Sequence, residues 1–494
     1  MKNIAIIGAG LGGLASAILL AYEGFNVEVY EKNQHVGGKM MRVNLGEAKF
    51  DFGPNTITMP HVFQNIIERT GANPDDYFQF IQLDSHTRNH FPNGESLDLS
   101  TDTQSMKKQL LQMDPYAAKN YDAYLEEVSR LFKLSNKYFL PKTFTSWKDY
   151  LSPSLAAALF RVRPLESLDH FHRRYFKNNS LIQMMNRYAT YIGSSPYLAP
   201  ATFAMISYLE LVEGVYYVKG GNPAIAEGFF KRAKELGVTF HLGSEINSID
   251  VQNKHAKTII SKDGKTKEVD LVIMNGDLLR SYPTLIKKEH RKHLSDKRLD
   301  SYEPSISAFV ILASLKKRLP GLIHHQVFFS ESYQNEFNDL FNKKVYSNDP
   351  TIYICNSSYT DQSISPQGDN LFILINAPSG TNTTEKELNN YKNRIYQLLA
   401  DKGYDIRPYL IEDRIISPQN ISDQFYAYKG ALYGPSSNNL RDSFLRPPNQ
   451  SRDVNNLYFV GGSTHPGGGS PMVTLSGMNV ADLIVQRIKK RPRQ

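Results

Sequence analysis

Hydrophobic and polar positions fall into two textures along the chain. The run Ile4–Tyr22 carries no charge over nineteen residues, about the length of a membrane span. Four glycines (Gly8, Gly10, Gly12 and Gly13) interrupt it where a spanning helix would be continuous. The pattern instead predicts a buried strand, IAIIG, a tight turn, and a helix, GLASAILLAYEG, closed by Gly24. FNVEVYEK (Phe25–Lys32) predicts a second strand of buried, parallel character. Lys2 is the only basic residue ahead of the apolar run and no cleavage site follows it, so no secretory signal is expected.

From about residue 100 to 190 the texture changes to a helical pattern rich in Lys, Tyr, Phe and Leu. Glycines return at Gly220 and Gly221. VTFHLGSEINSIDV (Val238–Val251) predicts two short strands, and LVIMNGD (Leu271–Asp277) a buried strand ending in a turn. A second mixed block follows, with SAFVILASL and LFILINAP as strands. The last eighty residues repeat the first texture: a strand (Leu457–Val460), a glycine-rich loop and a helix. No internal repeat or low-complexity tract is present. The expected organisation is α/β: a discontinuous Rossmann-type nucleotide-binding domain from segments 1–75, 206–290 and 416–494. Segment 76–205 is expected as a helical insertion and 291–415 as a mixed α+β second part.

Composition narrows this reading. The chain has 494 residues, 41% apolar and 21% charged, which excludes a wholly disordered or collagenous protein. A single cysteine, Cys355, excludes an intrachain disulfide and a cysteine-based zinc or iron–sulfur site. Lys and Arg exceed Asp and Glu by 8. Such an excess suits nucleic acid or an anionic membrane surface, but the basic residues are scattered and nucleic acid is not expected as a partner.

The chemistry begins at Gly8-Ala9-Gly10-Leu11-Gly12-Gly13. The first glycine of Gly8-x-Gly10-x-x-Gly13 permits the turn, the second lets the backbone approach a pyrophosphate, and the third lets helix and strand pack closely. The helix N-terminus favours the phosphate charge. Glu31, eighteen residues past Gly13, ends the second strand where a carboxylate can take ribose hydroxyls. Near the C-terminus, Gly461-Gly462 follows a strand, and Gly467-Gly468-Gly469 leads into Ser470-Pro471-Met472-Val473. Ser470 suits an N-cap and Pro471 the first helical position.

GAGLGG, then Glu31-Lys32, then Val36-Gly37-Gly38-Lys39, resembles the flavin-dependent amine-oxidase and carotenoid-desaturase superfamily. Lys39 departs from the arginine usual there, keeping the charge and losing the planar fork. FDFGPNTITMP (Phe50–Pro60), with Gly53 and Pro54, is similar to the family's turn beneath the flavin. The resemblance implies FAD as cofactor, the C-terminal helix N-terminus at the flavin's pyrimidine edge, and Ile246 at the adenine. His465 is the one candidate for direct chemistry. His170 and His172 lack a third ligand, so no metal is expected.

The resemblance runs over essentially the whole chain and is nearest the C30 diapocarotenoid oxygenase branch, through YIGSSPYLAPA (Tyr191–Ala201), GALYG (Gly430–Gly434) and GGGSPMVTLSG (Gly467–Gly477). THPG (Thr464–Gly467) is more typical of desaturases, and Ser470 replaces a usual apolar residue. The implied function is oxidation of a terminal methyl of a C30 carotenoid. A carotenoid desaturase and a non-catalytic flavoprotein or membrane-surface module are the alternatives. Glu210 and Glu213 lie near a channel-lining segment, with a helix-surface role expected for both. A membrane-dissolved substrate implies peripheral attachment on the cytoplasmic membrane face, with other carotenoid-pathway enzymes as candidate partners. Two stretches suit such docking: Leu131–Leu151, which interleaves lysines with large apolar groups, and the basic tail Gln486–Gln494.

Overall fold

A computed structural model describes residues 2–145, 149 and 152–489. The first strand, Asn3–Ile7, lies at the centre of a five-stranded, all-parallel sheet. Asn26–Glu31 and then Thr239–Leu242 lie on one side of it, and Leu271–Met274 and then Leu457–Phe459 on the other. These strands come from three stretches far apart in sequence. All-parallel strands are covered on both faces, and this explains their unbroken apolar runs.

The uncharged N-terminal run owes its composition to the same burial. The helix Leu11–Tyr22 has ten buried residues, Leu11 through Leu20, because it packs against the sheet and against the helices Ala224–Glu235 and Ser470–Lys489. A helix apolar all round is a buried helix. Among the described residues no helix is long and apolar enough to cross a membrane. The helix closes as the sequence predicts, with Gly24 at φ 87° and its N–H on the Ala21 carbonyl, while Phe25 N–H reaches Leu20. This is the left-handed cap that glycine supplies.

The second body is a seven-stranded sheet in the order Leu410–Ile416, Ser307–Leu315, Asn370–Ala377, Ile352–Asn356, His325–Phe328, Ser85–His90, Ser96–Ser100. All neighbours are antiparallel except His325–Phe328 with Ser85–His90. One face packs on the helix Glu385–Asp401. The opposite face, with Ala308, Val310, Leu312 and Phe372, meets Phe50 and Phe52 from the hairpin Met41–Leu45/Ala48–Phe52.

Segment 76–205 is therefore not wholly helical: it opens with Phe80–Leu83 and two strands of the large sheet. The strand SHTRNH escapes a hydrophobicity pattern because its buried residues, His86, Thr87 and Asn89, are polar. The helical part holds Thr103–Met113, Pro115–Tyr138, Pro153–Arg161, Leu168–Tyr175 and Asn179–Asn186 around its own core. The described apolar residues of the first proposed docking stretch face inward. Leu131, Phe132, Leu140 and Phe144 are buried, and Phe139 packs its ring on Phe444. Trp147 and residues 490–494 of the basic tail lie outside the described residues.

Candidate active site

In an open parallel sheet, ligands bind beyond the carboxyl ends of the strands. A cavity of about 460 Å³ lies there. Ile7 leads into Gly8, the second strand ends at Glu31, Met274 precedes Asn275, and Phe459 is two residues from Gly461. Ile7, Gly8, Glu31, Asn275 and Gly461 all line the cavity. Its walls take in Gly8, Gly10, Leu11, Gly12, Glu31, Lys32, Gly38, Lys39, Gly53, Pro54, Ile246, Gly461, Gly462, Gly469 and Val473. Ala308, Val310, Phe372 and Leu374, from the second sheet, form an apolar wall.

Four predicted positions stand just outside the walls. Ala9 is buried and gives its N–H to Glu31 Oε2 at 2.8 Å, so the turn and the acid hold one another. Gly13 is a packing glycine: a Cβ there would lie 2.2 Å from the Gly8 carbonyl oxygen. Pro471 is buried and Met472 packs on the first core. The C-terminal helix starts one residue earlier than Ser470 as cap implies. Gly469 O accepts from Val473 N–H at 2.9 Å, so Gly469 is the N-cap, and Ser470 and Pro471 are the first two helical residues. The two flanking helices touch backbone to backbone, since a Cβ on Gly477 would meet Gly12 O at 2.2 Å.

Lys39 is partly buried beside the cavity, and desolvation lowers its ammonium to about 8, against the pull of Asp277. Its Nζ donates to the carbonyls of Leu432 (2.8 Å) and Ala431 (3.2 Å). Lys32 reaches the Asp423 carbonyl and sits 3.6 Å over the Tyr426 ring. Sequence reasoning missed Asn275, whose Nδ2 donates to Gly8 O at 3.0 Å, and Asp277, which accepts from Leu279 and Tyr428 N–H. The signal was present: an Asn-Gly turn directly after a buried parallel strand.

His465 does not line the cavity. Its Nε2 pairs with the Phe139 carbonyl at 2.9 Å, its ring packs edge-on against Phe144, and burial lowers it to about 4. It is a neutral packing residue that ties the glycine-rich loop to the helical part. His170 is exposed, while His172 is buried and paired with Asn186 at 2.8 Å, so the two do not converge.

Glu210 is the largest departure from expectation. It is not on a surface: its side chain is 0% exposed, facing Arg187 Nη2 at 3.3 Å, with the Arg187 side chain 8% exposed. Tyr188 donates to it at 3.1 Å and Tyr191 donates to its other oxygen. Glu213 is half-buried, and burial raises its carboxyl. Among the described residues, His324, His325 and Cys355 bring three potential metal-ligand atoms within 4.8 Å of one another.

The donor set suits FAD on geometry alone. Glycine backbone and a helix N-terminus line one end of the cavity, a strand-end carboxylate stands beside them, and an apolar wall closes the other end. A profile of the Flavin containing amine oxidoreductase family matches residues 11–485. The chain is 34% identical to a 1-hydroxycarotenoid 3,4-desaturase from Flavobacterium sp., over 98% of this chain and 99% of that one. It is 33% identical to a 4,4'-diaponeurosporene oxygenase from Staphylococcus haemolyticus, over 98% and 97%. Cyclohexylamine oxidase from Brevibacterium oxydans shares the fold, with TM-score 0.63 at 14% identity over 99% of this chain and 100% of that one. The chain belongs to the flavin-containing amine oxidoreductase family and is an FAD-dependent oxidoreductase.

Proposed function

We propose that the protein is a carotenoid oxidase that converts a terminal methyl of a C30 polyene to the aldehyde, using FAD held in the cavity described above. One observation carries the reading: a single cavity joins a nucleotide-type end, Gly8 to Gly13 with Glu31, to an apolar wall of Ala308, Val310, Phe372 and Leu374. The similarity to a carotenoid desaturase and a diaponeurosporene oxygenase supports the substrate class.

In this reading Gly8, Gly10 and the first helix N-terminus hold the pyrophosphate, Glu31 the ribose and Ile246 the adenine side. Gly461, Gly462 and Gly469 with the C-terminal helix face the flavin ring. The helix N-terminus favours the negative charge of the reduced ring. When bound, FAD supplies an acceptor for two electrons at a time. Methyl to alcohol replaces a C–H bond by a C–O bond to an oxygen from water, alcohol to aldehyde converts an O–H and a C–H bond into the second bond of C=O, and each step gives up two electrons and two protons. An allylic C–H at the end of a conjugated chain loses electrons readily, because the polyene delocalises the charge. The protein's own contribution is position, with the apolar wall taking the hydrocarbon.

A polyene of this kind lives in a bilayer, so we place the protein on the cytoplasmic membrane face. Exposed Phe160 (78%), Leu165 (82%) and Leu198 (57%) in the helical part support a docking surface there. The test is direct. FAD-loaded protein mixed without oxygen with liposomes containing diaponeurosporene should lose its visible flavin absorbance. A flavin that stays oxidised beside the polyene would refute the catalytic reading and favour a non-catalytic flavoprotein.

A further inference from the structure

The apolar wall of the cavity continues sideways into a buried polar cluster that the reaction outlined above does not use. On the next strand, Tyr353 stands opposite Leu374 and Cys355 opposite Phe372. One strand further, His325 stands opposite Cys355. Directly paired residues share a face of the sheet, and strands are about 5 Å apart. Tyr353 is therefore one strand from the cavity wall and His325 two. Thr56, three residues beyond Gly53 of the cavity lining, brings its hydroxyl within 3.5 Å of Tyr353 Oη.

His325 is fully buried. Its Nδ1 meets Tyr353 Oη at 2.9 Å, while its Nε2 has no protein partner. The ring is held neutral by burial, with His324, His86 and Arg187 nearby opposing a positive charge. A neutral imidazole has one donor nitrogen and one acceptor. If Tyr353 donates to Nδ1, then Nε2–H is a donor in want of an acceptor. If Nδ1–H donates to Tyr353, Nε2 is an acceptor in want of a donor. A hydroxyl group satisfies Nε2 in either tautomer, and a hydrocarbon satisfies it in neither. His86 repeats the feature: its Nδ1 pairs with Thr87 Oγ1 at 3.0 Å and its Nε2 is buried without a partner. The Arg187–Glu210 pair beside the cluster is already matched in charge, so the site suits a neutral group better than a carboxylate.

A metal ion suits it less well. His324 Nδ1 is taken by Thr360 Oγ1 at 2.6 Å, and burial holds the Cys355 thiol protonated. Among the described residues the trio of His324, His325 and Cys355 has no fourth ligand to complete a tetrahedral shell.

We propose that His325 and Tyr353 form a binding site for a neutral hydroxyl on the end of the polyene, so that the protein holds the alcohol-level compound more tightly than the parent hydrocarbon. This rests on the polyene reading above and adds to it: the first product is retained for the second oxidation. His325 and Tyr353 act here as specificity residues, and no chemical step is assigned to them.

The test is equilibrium binding, which needs no turnover. FAD-loaded protein in detergent micelles is titrated with diaponeurosporene and with its terminal alcohol, following quenching of flavin fluorescence. Leaving a buried donor or acceptor unmatched typically weakens binding about tenfold or more, so the wild type should prefer the alcohol by about that factor. Tyr353→Phe and His325→Leu should bring the ratio of the two dissociation constants close to one. His325→Gln, which keeps an amide near the position of Nε2, should restore part of the preference. A wild-type ratio near one overturns the proposal, because water then satisfies Nε2 equally well with either ligand. So does a preference that survives in both variants, and so does a stoichiometric transition metal in the purified protein. If the alcohol is preferred but no polyene bleaches the flavin, the reaction assignment fails and the hydroxyl site stands.

Discussion

Replacing Glu210 by glutamine removes a charge from a place where its partner cannot reach water. Arg187 keeps an 8% exposed side chain, and the second tyrosine-bonded carboxylate oxygen becomes an amide. Removing one member of a buried ion pair costs about 3–5 kcal/mol, because the survivor is left uncompensated. An unfolding entropy of about 2.1 cal/mol/K per residue over 494 residues gives roughly 1 kcal/mol/K. The melting temperature of the FAD-loaded protein should therefore fall by about 3–5 °C. Arg187→Met/Glu210→Gln should recover most of that loss, since no uncompensated buried charge is then left. The assay is thermal unfolding read by release of flavin fluorescence, with flavin saturating in all four forms of the double-mutant cycle. A Glu210→Gln shift below about 1 °C, or a double variant no more stable than the single one, would refute the claim that the pair is buried and coupled.

Three further outcomes follow from the same geometry. Gly10→Val places a side chain at the helix N-terminus, where even a Cβ lies 3.0 Å from Asn275 Nδ2; a strain of about 1–3 kcal/mol should weaken FAD binding roughly 10–100-fold, read by flavin titration. Lys39 carries a folded-state value of about 8 against an ordinary 10.5, so above pH 8 the unfolded chain binds a proton that the folded apo-protein does not, and stability should rise with pH. Between pH 8 and 9.5 that gain is about 2 kcal/mol over Lys39→Met, measured by urea unfolding, and bound FAD, by restoring the ammonium charge, should flatten it. Phe160→Ser/Leu165→Ser should reduce binding to liposomes at high salt, where apolar insertion outlasts screened charge; unchanged sedimentation would move the docking surface elsewhere.

The nucleotide half was legible because its signals are local. A parallel strand buried on both faces has to be apolar, and a phosphate turn requires glycine at fixed spacing, so Gly8 to Gly13 and Glu31 could be placed from a window of thirty residues. What escaped was set by distant partners. Glu210 reads as a solvated acid because Arg187 is 23 residues away, and Ser85–His90 shows no apolar strand pattern within the expected helical insertion because its interior side chains are His, Thr and Asn. The Leu131–Leu151 stretch suggested a membrane face because periodicity cannot say which side of a helix another helix covers, and here Leu131 and Phe132 turn inward. His465 was tempting through its neighbours in sequence, yet its ring is engaged by Phe139 and Phe144 on the far side of the loop.

The most direct test of the central claim is the mass of the product. Cells making diaponeurosporene receive this protein and are grown in parallel under labelled dioxygen and in labelled water. The account predicts a pigment that has gained one oxygen atom and lost two hydrogens, as a methyl becomes an aldehyde, with the label appearing in the labelled-water culture. A product lighter only by pairs of hydrogen atoms, with no oxygen gained in either culture, would contradict the oxidase assignment and make the protein a desaturase.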